Sequence, residues 1–301
     1  MRILITGVTG YIGRHLCATL ADAGHDVVGT SRKPAGVDLP GLTQAFAWLP
    51  ATEPLPAQAL DGVDGVVHLT GESVAGRWTA AKKRAMRASR VDSAANVVAG
   101  IAASSHKPSV FVGGSAVGFY GDCGDDELTE ADPAGDDFLA RLTANWEAAA
   151  QDVTRLGVRS VVARTGMVVG PGAKFLAPQL PLAKLGLGGR LGSGNQWWSW
   201  AHVDDVTGII KLALEDASME GPINVTSPHI ARQRDFAKAL GHILHRPAFV
   251  WAPALAIKLV LGEFADEILT SKRVFPAAAL AAGYTFAYPS LEPALQQAVR
   301  A

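Results

Sequence analysis

The 301-residue chain has few cysteines and no excess of charge of either sign. Its two cysteines, Cys17 and Cys123, lie far apart, and their number excludes a disulfide framework. We expect two reduced thiols in a cytoplasmic protein, and a single buried bridge between them is the alternative. Lys and Arg number 27 against 28 Asp and Glu, which leaves a formal net charge of −1. Without a basic face, nucleic acid is not expected as a main partner.

Long apolar segments and metal-ligand spacings are also absent. The apolar stretch at residues 250–262 carries Lys258 and is too short to span a bilayer, so we predict a core helix and no membrane partner. Met1 leads directly into a strand pattern without the features of a secretory leader, so none is expected. His242 and His245 lack acidic or cysteine partners at ligand spacing, and no metal site is predicted.

The first half of the chain alternates short apolar runs with helical patterns, which include a weaker third strand at residues 45–48 and a long helix at about residues 79–104. Such alternation predicts an α/β fold in which helices cover both faces of a doubly wound parallel sheet, the Rossmann type. We assign residues 1–165 to this domain and expect residues 203–226 to return to it. Residues 166–301 are assigned mainly to a smaller, interwoven C-terminal substrate lobe, which ends in a helical module at about 248–301.

Three glycines follow the first apolar strand in the spacing G-x-x-G-x-x-G. In a dinucleotide-binding loop the first glycine permits a sharp turn, the second lets a pyrophosphate approach the backbone, and the third lets the helix pack on the sheet. The free N–H groups of the helix then bind phosphate. The predicted cofactor contacts of this loop are Gly7, Thr9, Gly10, Tyr11, Ile12 and Gly13.

The end of the second strand distinguishes two cofactors. An NAD site places an acidic residue there for the ribose 2′-hydroxyl, about 20 residues beyond the loop. This chain has Ser31 and Arg32 instead, a hydroxyl and a guanidinium that suit a 2′-phosphate. NADP(H) is therefore favoured over NAD(H), and an exposed basic turn without a ligand is the alternative.

Several further segments carry a resemblance to a known family. Residues 68–72 (HLTGE) and 115–121 (SAVGFYG) follow strands, and residues 76–79 (GRWT) and 198–205 (WSWAHVDD) are more distinctive. With the glycine loop, they resemble the extended short-chain dehydrogenase/reductase superfamily, in its NAD(P)-dependent epimerase/dehydratase branch of the SDR39U type. The ending of the chain is similar to that branch's C-terminal domain of unknown function. The resemblance implies a Rossmann fold that binds NADP(H), and it allows a homodimer. It also implies cofactor contacts from the end of the fourth predicted strand (residues 65–69) and the segment after it: Leu69, Thr70, Gly71 and Glu72. Arg164, which ends the sixth predicted strand (residues 158–164) on the ligand side, is predicted as a further cofactor contact.

The catalytic Tyr-x-x-x-Lys of that superfamily is missing. None of the four tyrosines is followed four residues later by lysine, and if Glu147 matches the acid after the motif, Leu139 and Thr143 stand in its place. The remaining candidate catalytic residues are Ser115, Tyr120 and Glu147. Ala116 is an alternative occupant of the usual hydroxyl position. Tyr120 is otherwise a packing aromatic, and Glu147 a paired or solvated carboxylate.

Aromatic and basic side chains suggest where a substrate would bind. An arginine with aromatic rings can hold an anionic or planar ligand. The alternative is that these rings pack the core or join the two lobes, and that Asp204 only caps the next helix. The predicted substrate-pocket residues are Trp78, Trp146, Arg190, Trp200 and His202.

Three functions remain open. The first is an NADP(H)-dependent oxidoreductase or epimerase-like enzyme acting on a small organic substrate. The second is a non-catalytic NADP(H)-binding regulator, since the proton-transfer pair is absent; some relatives carry labels linking them to cell division. The third is a nucleotide-sugar epimerase, whose bound cofactor would change its absorbance when a UDP-sugar is added.

Overall fold

Seven parallel strands form the central sheet of the computed structural model, which describes residues 1–300. Their order is β7-β6-β5-β4-β1-β2-β3, so the chain winds outward from β1 in both directions. The strands are β1 (Arg2–Thr6), β2 (Asp26–Ser31), β3 (Leu42–Ala47), β4 (Gly65–His68), β5 (Val110–Ala116), β6 (Arg159–Thr165) and β7 (Gly221–Val225).

Burial on both faces explains why the central strands β1 and β4 are apolar at almost every position, whereas the edge strand β3 has no buried residue. Residues 65–68 of β4 are all buried, as are four of the five residues of β1. One apolar cluster lies on each face of the sheet, one containing Ile3 and Ile5 and the other Leu4 and Val66. The predicted doubly wound parallel sheet is therefore confirmed.

Helices cover the two faces of the sheet and build most of the C-terminal half. Within residues 1–300, none of them is long and apolar enough to cross a membrane. They are α1 (Tyr11–Asp22), α2 (Ala80–Arg87), α3 (Ser93–Ala103), α4 (Phe138–Gln151), α5 (Gln179–Lys184), α6 (Val203–Glu215), α7 (Gln233–Ile243), α8 (Ala254–Leu261), α9 (Phe264–Leu269), α10 (Ala277–Ala281) and α11 (Leu291–Arg300).

The helix predicted over residues 79–104 is interrupted. Thr79 caps α2 by accepting a hydrogen bond from the Lys82 amide, and a π-helical turn, Ala88–Asp92, separates α2 from α3. The hydroxyl of Ser93, the first residue of α3, lies within hydrogen-bonding distance of the carbonyl oxygens of Ser89 and Arg90 in this turn. Apolar spacing did not reveal the interruption, because a π turn adds a residue to the helix without removing its apolar face.

The C-terminal half is tied to the sheet rather than separate from it. Strand β7 pairs with β6, and α6 packs against α1 on one face of the sheet. A third apolar cluster contains Trp198, Trp200 and Phe236. Four pairs of short strands complete this half and its contacts with the sheet domain: Glu127–Leu128 with Arg273–Val274, Met167–Val169 with Trp200–His202, Gly189–Leu191 with Val250–Ala252, and Trp197–Trp198 with Ala231–Arg232.

Candidate functional site

The loop between β1 and α1 needs glycine at both ends. Gly7 has φ of +72°, and a Cβ there would lie 3.1 Å from the backbone of Leu69. A Cβ at Gly13 would lie 2.5 Å from the Gly7 carbonyl oxygen, so no larger residue fits where α1 crosses the loop. Gly10 precedes α1 and supplies no side-chain cap. The first N–H groups of the helix are therefore left for an anion.

A cleft of about 800 Å³ opens along the carboxyl ends of β1, β2 and β4. This is the position at which doubly wound sheets bind nucleotides, because the strand order reverses between β1 and β4. Nine of the predicted cofactor residues line it together, and Tyr11, Ile12, Gly13 and Arg164 do not. The nine are Gly7, Thr9, Gly10, Ser31, Arg32, Leu69, Thr70, Gly71 and Glu72.

Other residues of the cleft were missed from the sequence. Residues 48–52 follow β3 and form one wall; that strand was recognised, but no ligand contact was assigned to its carboxyl end. Ser73, Ser89 and Lys174 also line the cleft. Ser89 lies in the π turn, where its hydroxyl oxygen accepts a hydrogen bond from the Glu72 amide at 2.9 Å. No pattern in the glycine- and proline-rich stretch around Lys174 indicated a contact from so far along the chain.

Charges around the cleft are divided between paired and unpaired groups. Glu72 accepts a hydrogen bond from Lys82 at 2.7 Å, and this contact, with smaller contributions from the charges of Arg32 and Arg90, lowers the pKa of the carboxyl. Within residues 1–300 the guanidinium of Arg32 makes no hydrogen bond or ion pair. The hydroxyl of Ser31 beside it makes only two long contacts of 3.2 Å, both with the backbone of Lys33. Arg32 is thus a free cation at the end of β2.

Beneath the cleft, a buried polar chain fixes the segment that follows β4. The His68 ring contacts the hydroxyls of Thr6 at 2.7 Å and Ser93 at 3.1 Å, and Thr70 donates to Thr6 at 3.2 Å. Complete burial lowers the pKa of His68 to about 3, so the ring is neutral at pH 7. These contacts hold the segment from Leu69 to Glu72 at its place in the cleft.

The predicted catalytic residues gather elsewhere, in a buried cluster at the carboxyl ends of β5 and β6. Arg164 donates to both carboxylate oxygens of Glu147, from Nε and Nη2, each at 2.9 Å. Ser115 donates to the same carboxylate at 2.5 Å. Tyr120 accepts from Arg164 Nη1 at 2.9 Å and donates to Asn224 at 2.7 Å. We call these five residues the polar cluster.

Every polar side chain of the cluster has its partners within the protein. Tyr120 is 2% exposed, and the guanidinium carbon of Arg164 lies 3.5 Å from the centroid of the Phe119 ring. Burial raises the pKa of the Tyr120 phenol, against the opposing effect of the Arg164 hydrogen bond. A neutral phenol with both its donor and its acceptor in use is saturated as the molecule stands. The cluster therefore has the form of a structural anchor between β5, β6, β7 and α4.

If Glu147 matches the acid that follows the superfamily's motif, the proton-transfer positions are Leu139 and Thr143, and neither is an acid or a base of that kind. Leu139 and Thr143 lie on α4 beside Gly118, and the Thr143 hydroxyl donates to the Leu139 carbonyl at 2.7 Å. Ser115 turns its hydroxyl toward α4, and Ala116, the next residue of β5, points to the other face of the sheet. A serine hydroxyl is thus absent from that face at this point of the strand.

None of the five predicted substrate-pocket residues lines the cleft. Trp78 donates to the Val74 carbonyl at 2.7 Å. Trp146 is buried against Gly114, and its indole N–H has no partner within residues 1–300. Arg190 is exposed and lies over the ring of Trp251.

The last two pocket candidates are buried in the C-terminal half. Trp200 is fully buried and donates to the His229 carbonyl at 3.2 Å. His202 contacts Gln297 at 2.9 Å through Nε2, and its Nδ1 accepts from the Asp204 amide at 3.2 Å. His202 therefore caps α6, and the expectation that Asp204 does so is wrong, because the helix begins one residue before Asp204.

Comparison with protein-family models assigns the chain. Residues 3–226 match the model of the NAD dependent epimerase/dehydratase family, and residues 252–298 match a domain of unknown function, DUF1731. The chain belongs to this epimerase/dehydratase family. The resemblance inferred from the sequence is confirmed, including its C-terminal module.

Relatives and solved structures agree with this assignment. The chain is 34% identical to epimerase family protein YfhF of Bacillus subtilis, over 99% of this chain and 98% of that protein. It superposes on the crystal structure of human epimerase family protein SDR39U1 with NADPH at a TM-score of 0.88, with 33% identity over 100% of this chain and 99% of that one. A nucleoside-diphosphate sugar epimerase from Corynebacterium glutamicum gives a TM-score of 0.79 at 34% identity, over 99% of this chain and 58% of that one. The chain is thus similar in full length to SDR39U1-type proteins.

Proposed function

We propose that this epimerase-family protein binds NADP(H) in preference to NAD(H) and uses it in a redox reaction on a small organic substrate. The observation that carries the proposal is the unpaired Arg32 guanidinium in the cleft, at the end of β2. An acidic residue at this place would favour a ribose 2′-hydroxyl and repel a 2′-phosphate. Arg32 offers the opposite charge and a planar set of donors.

The rest of the cleft suits the remainder of the cofactor. The turn at Gly7 and the uncapped start of α1 suit a pyrophosphate, since their N–H groups and the helix dipole favour an anion. The wall at residues 48–52 gives an adenine ring an apolar surface, with Trp48 and Leu49 among its members. Bound NADP(H) would supply or accept a hydride. The human SDR39U1 structure, which contains NADPH, supports a nicotinamide cofactor of this kind.

Measuring the two dissociation constants tests the cofactor preference. NADPH should bind the natural protein at least about 10-fold more tightly than NADH. Arg32→Ala should weaken NADPH by about 10- to 100-fold, as expected for the loss of a charge-assisted contact of roughly 1.5–3 kcal/mol, and should leave NADH unchanged. Lys33→Ala is the matched control, because Lys33 is exposed and does not line the cleft. Equal affinities for NADPH and NADH in the natural protein would refute the preference.

A regulatory role is the second candidate, and the polar cluster favours it. Ser115, Tyr120 and Glu147 have their hydrogen bonds committed to one another or to Arg164 and Asn224. A protein that retains the cofactor cleft without an available proton donor suits a sensor of the NADPH/NADP⁺ ratio. In that case the substrate of the first proposal is replaced by a protein partner.

Absorbance at the nicotinamide band separates these two candidates. Stoichiometric NADPH oxidation with any member of a panel of aldehydes and ketones supports the enzyme. Tight NADPH binding without oxidation, together with capture of a partner in one redox state only, supports the sensor. Reduction of bound cofactor by a UDP-sugar would instead support the nucleotide-sugar epimerase.

A further inference from the structure

Lys174 is the second free cation of the cleft. It lies in the segment between the short strand Met167–Val169 and α5, more than 100 residues beyond most of the other lining residues. Its side chain is exposed to the cleft and, within residues 1–300, makes no hydrogen bond or ion pair. Lysine carries three donors and a full charge, so it can bind an anion placed within its reach.

The backbone on each side of Lys174 is fixed. Ala173 is 3% exposed and its amide donates to the Gly170 carbonyl at 3.1 Å, and Leu176 is 1% exposed and its amide donates to the Ala173 carbonyl at 3.1 Å. Lys174 therefore projects from a turn that is held by buried residues, Ala173 before it and Leu176 two positions after it. The position of its Cα depends on packing, while its ammonium remains free.

This turn is fastened to the start of α1. A Cβ at Gly170 would lie 2.6 Å from the Tyr11 phenol oxygen and 2.8 Å from Val203, so Gly170 rests directly on Tyr11, the first residue of the helix. Lys174 follows four residues later and lines the cleft with Gly7, Thr9 and Gly10. The C-terminal half thus places a cation beside the helix end that favours a phosphate.

We propose that Lys174 binds the cofactor's pyrophosphate from the side opposite the glycine loop, so that the diphosphate lies between the start of α1 and a cation from the C-terminal half. The two cations then divide the cofactor between them, because Arg32 contacts the 2′-phosphate and Lys174 the pyrophosphate. This assignment rests on the proposed function. It makes Lys174 a binding residue for NADPH and NADH alike, since both contain the diphosphate.

Three ligands and three variants test the assignment by calorimetric titration. The ligands are NADPH, NADH and adenosine 2′-monophosphate, which has the 2′-phosphate but no pyrophosphate. The variants are Lys174→Ala, Arg32→Ala and Lys184→Ala. Lys184 is the matched control, because it is an exposed lysine of the same half that does not line the cleft.

Lys174→Ala should raise the dissociation constants of NADPH and NADH by about 10-fold and leave that of adenosine 2′-monophosphate unchanged. Arg32→Ala should weaken NADPH and adenosine 2′-monophosphate and spare NADH, and Lys184→Ala should change none of them. Higher salt should reduce the difference between the natural protein and Lys174→Ala, because a charge–charge contact is screened.

Results that differ from these contradict the Lys174 assignment, the proposed cofactor preference, or both. If Lys174→Ala binds both dinucleotides within twofold of Lys184→Ala, Lys174 does not contact the cofactor. If it weakens adenosine 2′-monophosphate as strongly as NADPH, Lys174 belongs to the 2′-phosphate site. If the natural protein binds NADPH and NADH equally while Lys174→Ala weakens both, the proposed preference fails and this inference stands. If it binds neither dinucleotide, both fail.

Discussion

Two regions at the carboxyl edge of the central sheet differ in whether their charged and polar groups have partners within the protein. In the cleft at β1, β2 and β4, Arg32 and Lys174 have no partner within residues 1–300 and α1 begins without a side-chain cap. In the polar cluster at β5 and β6, the Arg164–Glu147 pair is only 6% exposed on each side and both groups are hydrogen-bonded.

The difference separates binding from structural support. A charge without a protein partner is tolerated at a surface cleft, where water solvates it until a ligand arrives. A charge in the interior is tolerated only when it is paired, because its desolvation is otherwise uncompensated. The unpaired charges therefore indicate that the cleft is the ligand site, and the paired charges indicate that the polar cluster is a structural anchor. This holds although the cluster contains the residues with the more familiar catalytic chemistry.

The largest effect is expected where the anchor is broken. Glu147→Gln removes the charge that balances Arg164 and should lower the free energy of unfolding by about 3–5 kcal/mol, as for other buried pairs that lose one partner. Urea unfolding followed by circular dichroism measures this. The exposed Asp152–Arg155 pair provides a control, since Asp152→Asn should change stability by less than about 1 kcal/mol. A loss for Glu147→Gln as small as the control's would show that the cluster is not an anchor.

The next largest effect is expected from acid, which should lower the free energy of unfolding through the buried His68 beneath the cleft. The pKa of His68 is about 3 in the fold against 6.5 for an unburied imidazole, so its contribution is complete above pH 6.5 and is lost as the pH falls toward 3. Between pH 6.5 and pH 5 the free energy of unfolding should drop by about 2 kcal/mol from this group. His68→Gln should remove that part of the pH dependence, whereas His106→Gln, at an exposed site, should keep it. If the free energy of unfolding depends on pH in the same way in both variants, His68 is not the group responsible.

A smaller loss is expected at the phenol of the cluster. Tyr120→Phe leaves Asn224 and one Arg164 N–H without their partner and should lower the free energy of unfolding by about 1–3 kcal/mol. NADPH affinity should be unchanged, and so should the rate with any substrate that a screen identifies. A rate loss of 100-fold or more with unchanged affinity would make Tyr120 a catalytic residue and end the contrast between the two regions.

The glycine loop and the basic end of β2 were predictable from the sequence, whereas contacts that depend on how the elements assemble were not. The glycine loop and Arg32 can be recognised in the sequence because each directly follows the end of a single strand. The expected core helix at residues 250–262 was wrong, because α8 buries only Ile257 and leaves Leu255, Leu259 and Val260 exposed. The polar cluster joins Ser115, Glu147 and Asn224, whose proximity follows only from strand order and the docking of α4. Lys174 was missed for the same reason, since only the packing of Gly170 on Tyr11 brings it to the cleft. The aromatic pocket was expected from side-chain chemistry alone, whereas Trp200 and His202 are used in the core and at a helix cap.

The shift in thermal unfolding caused by NADPH, measured for Arg32→Ala and Tyr120→Phe side by side, tests the contrast most directly. We predict that Arg32→Ala unfolds at the natural temperature without ligand and loses most of the NADPH shift. Tyr120→Phe should unfold at a lower temperature and keep the full shift. A destabilised Arg32→Ala, or a Tyr120→Phe protein that NADPH no longer stabilises, would contradict the division into a binding cleft and a structural anchor.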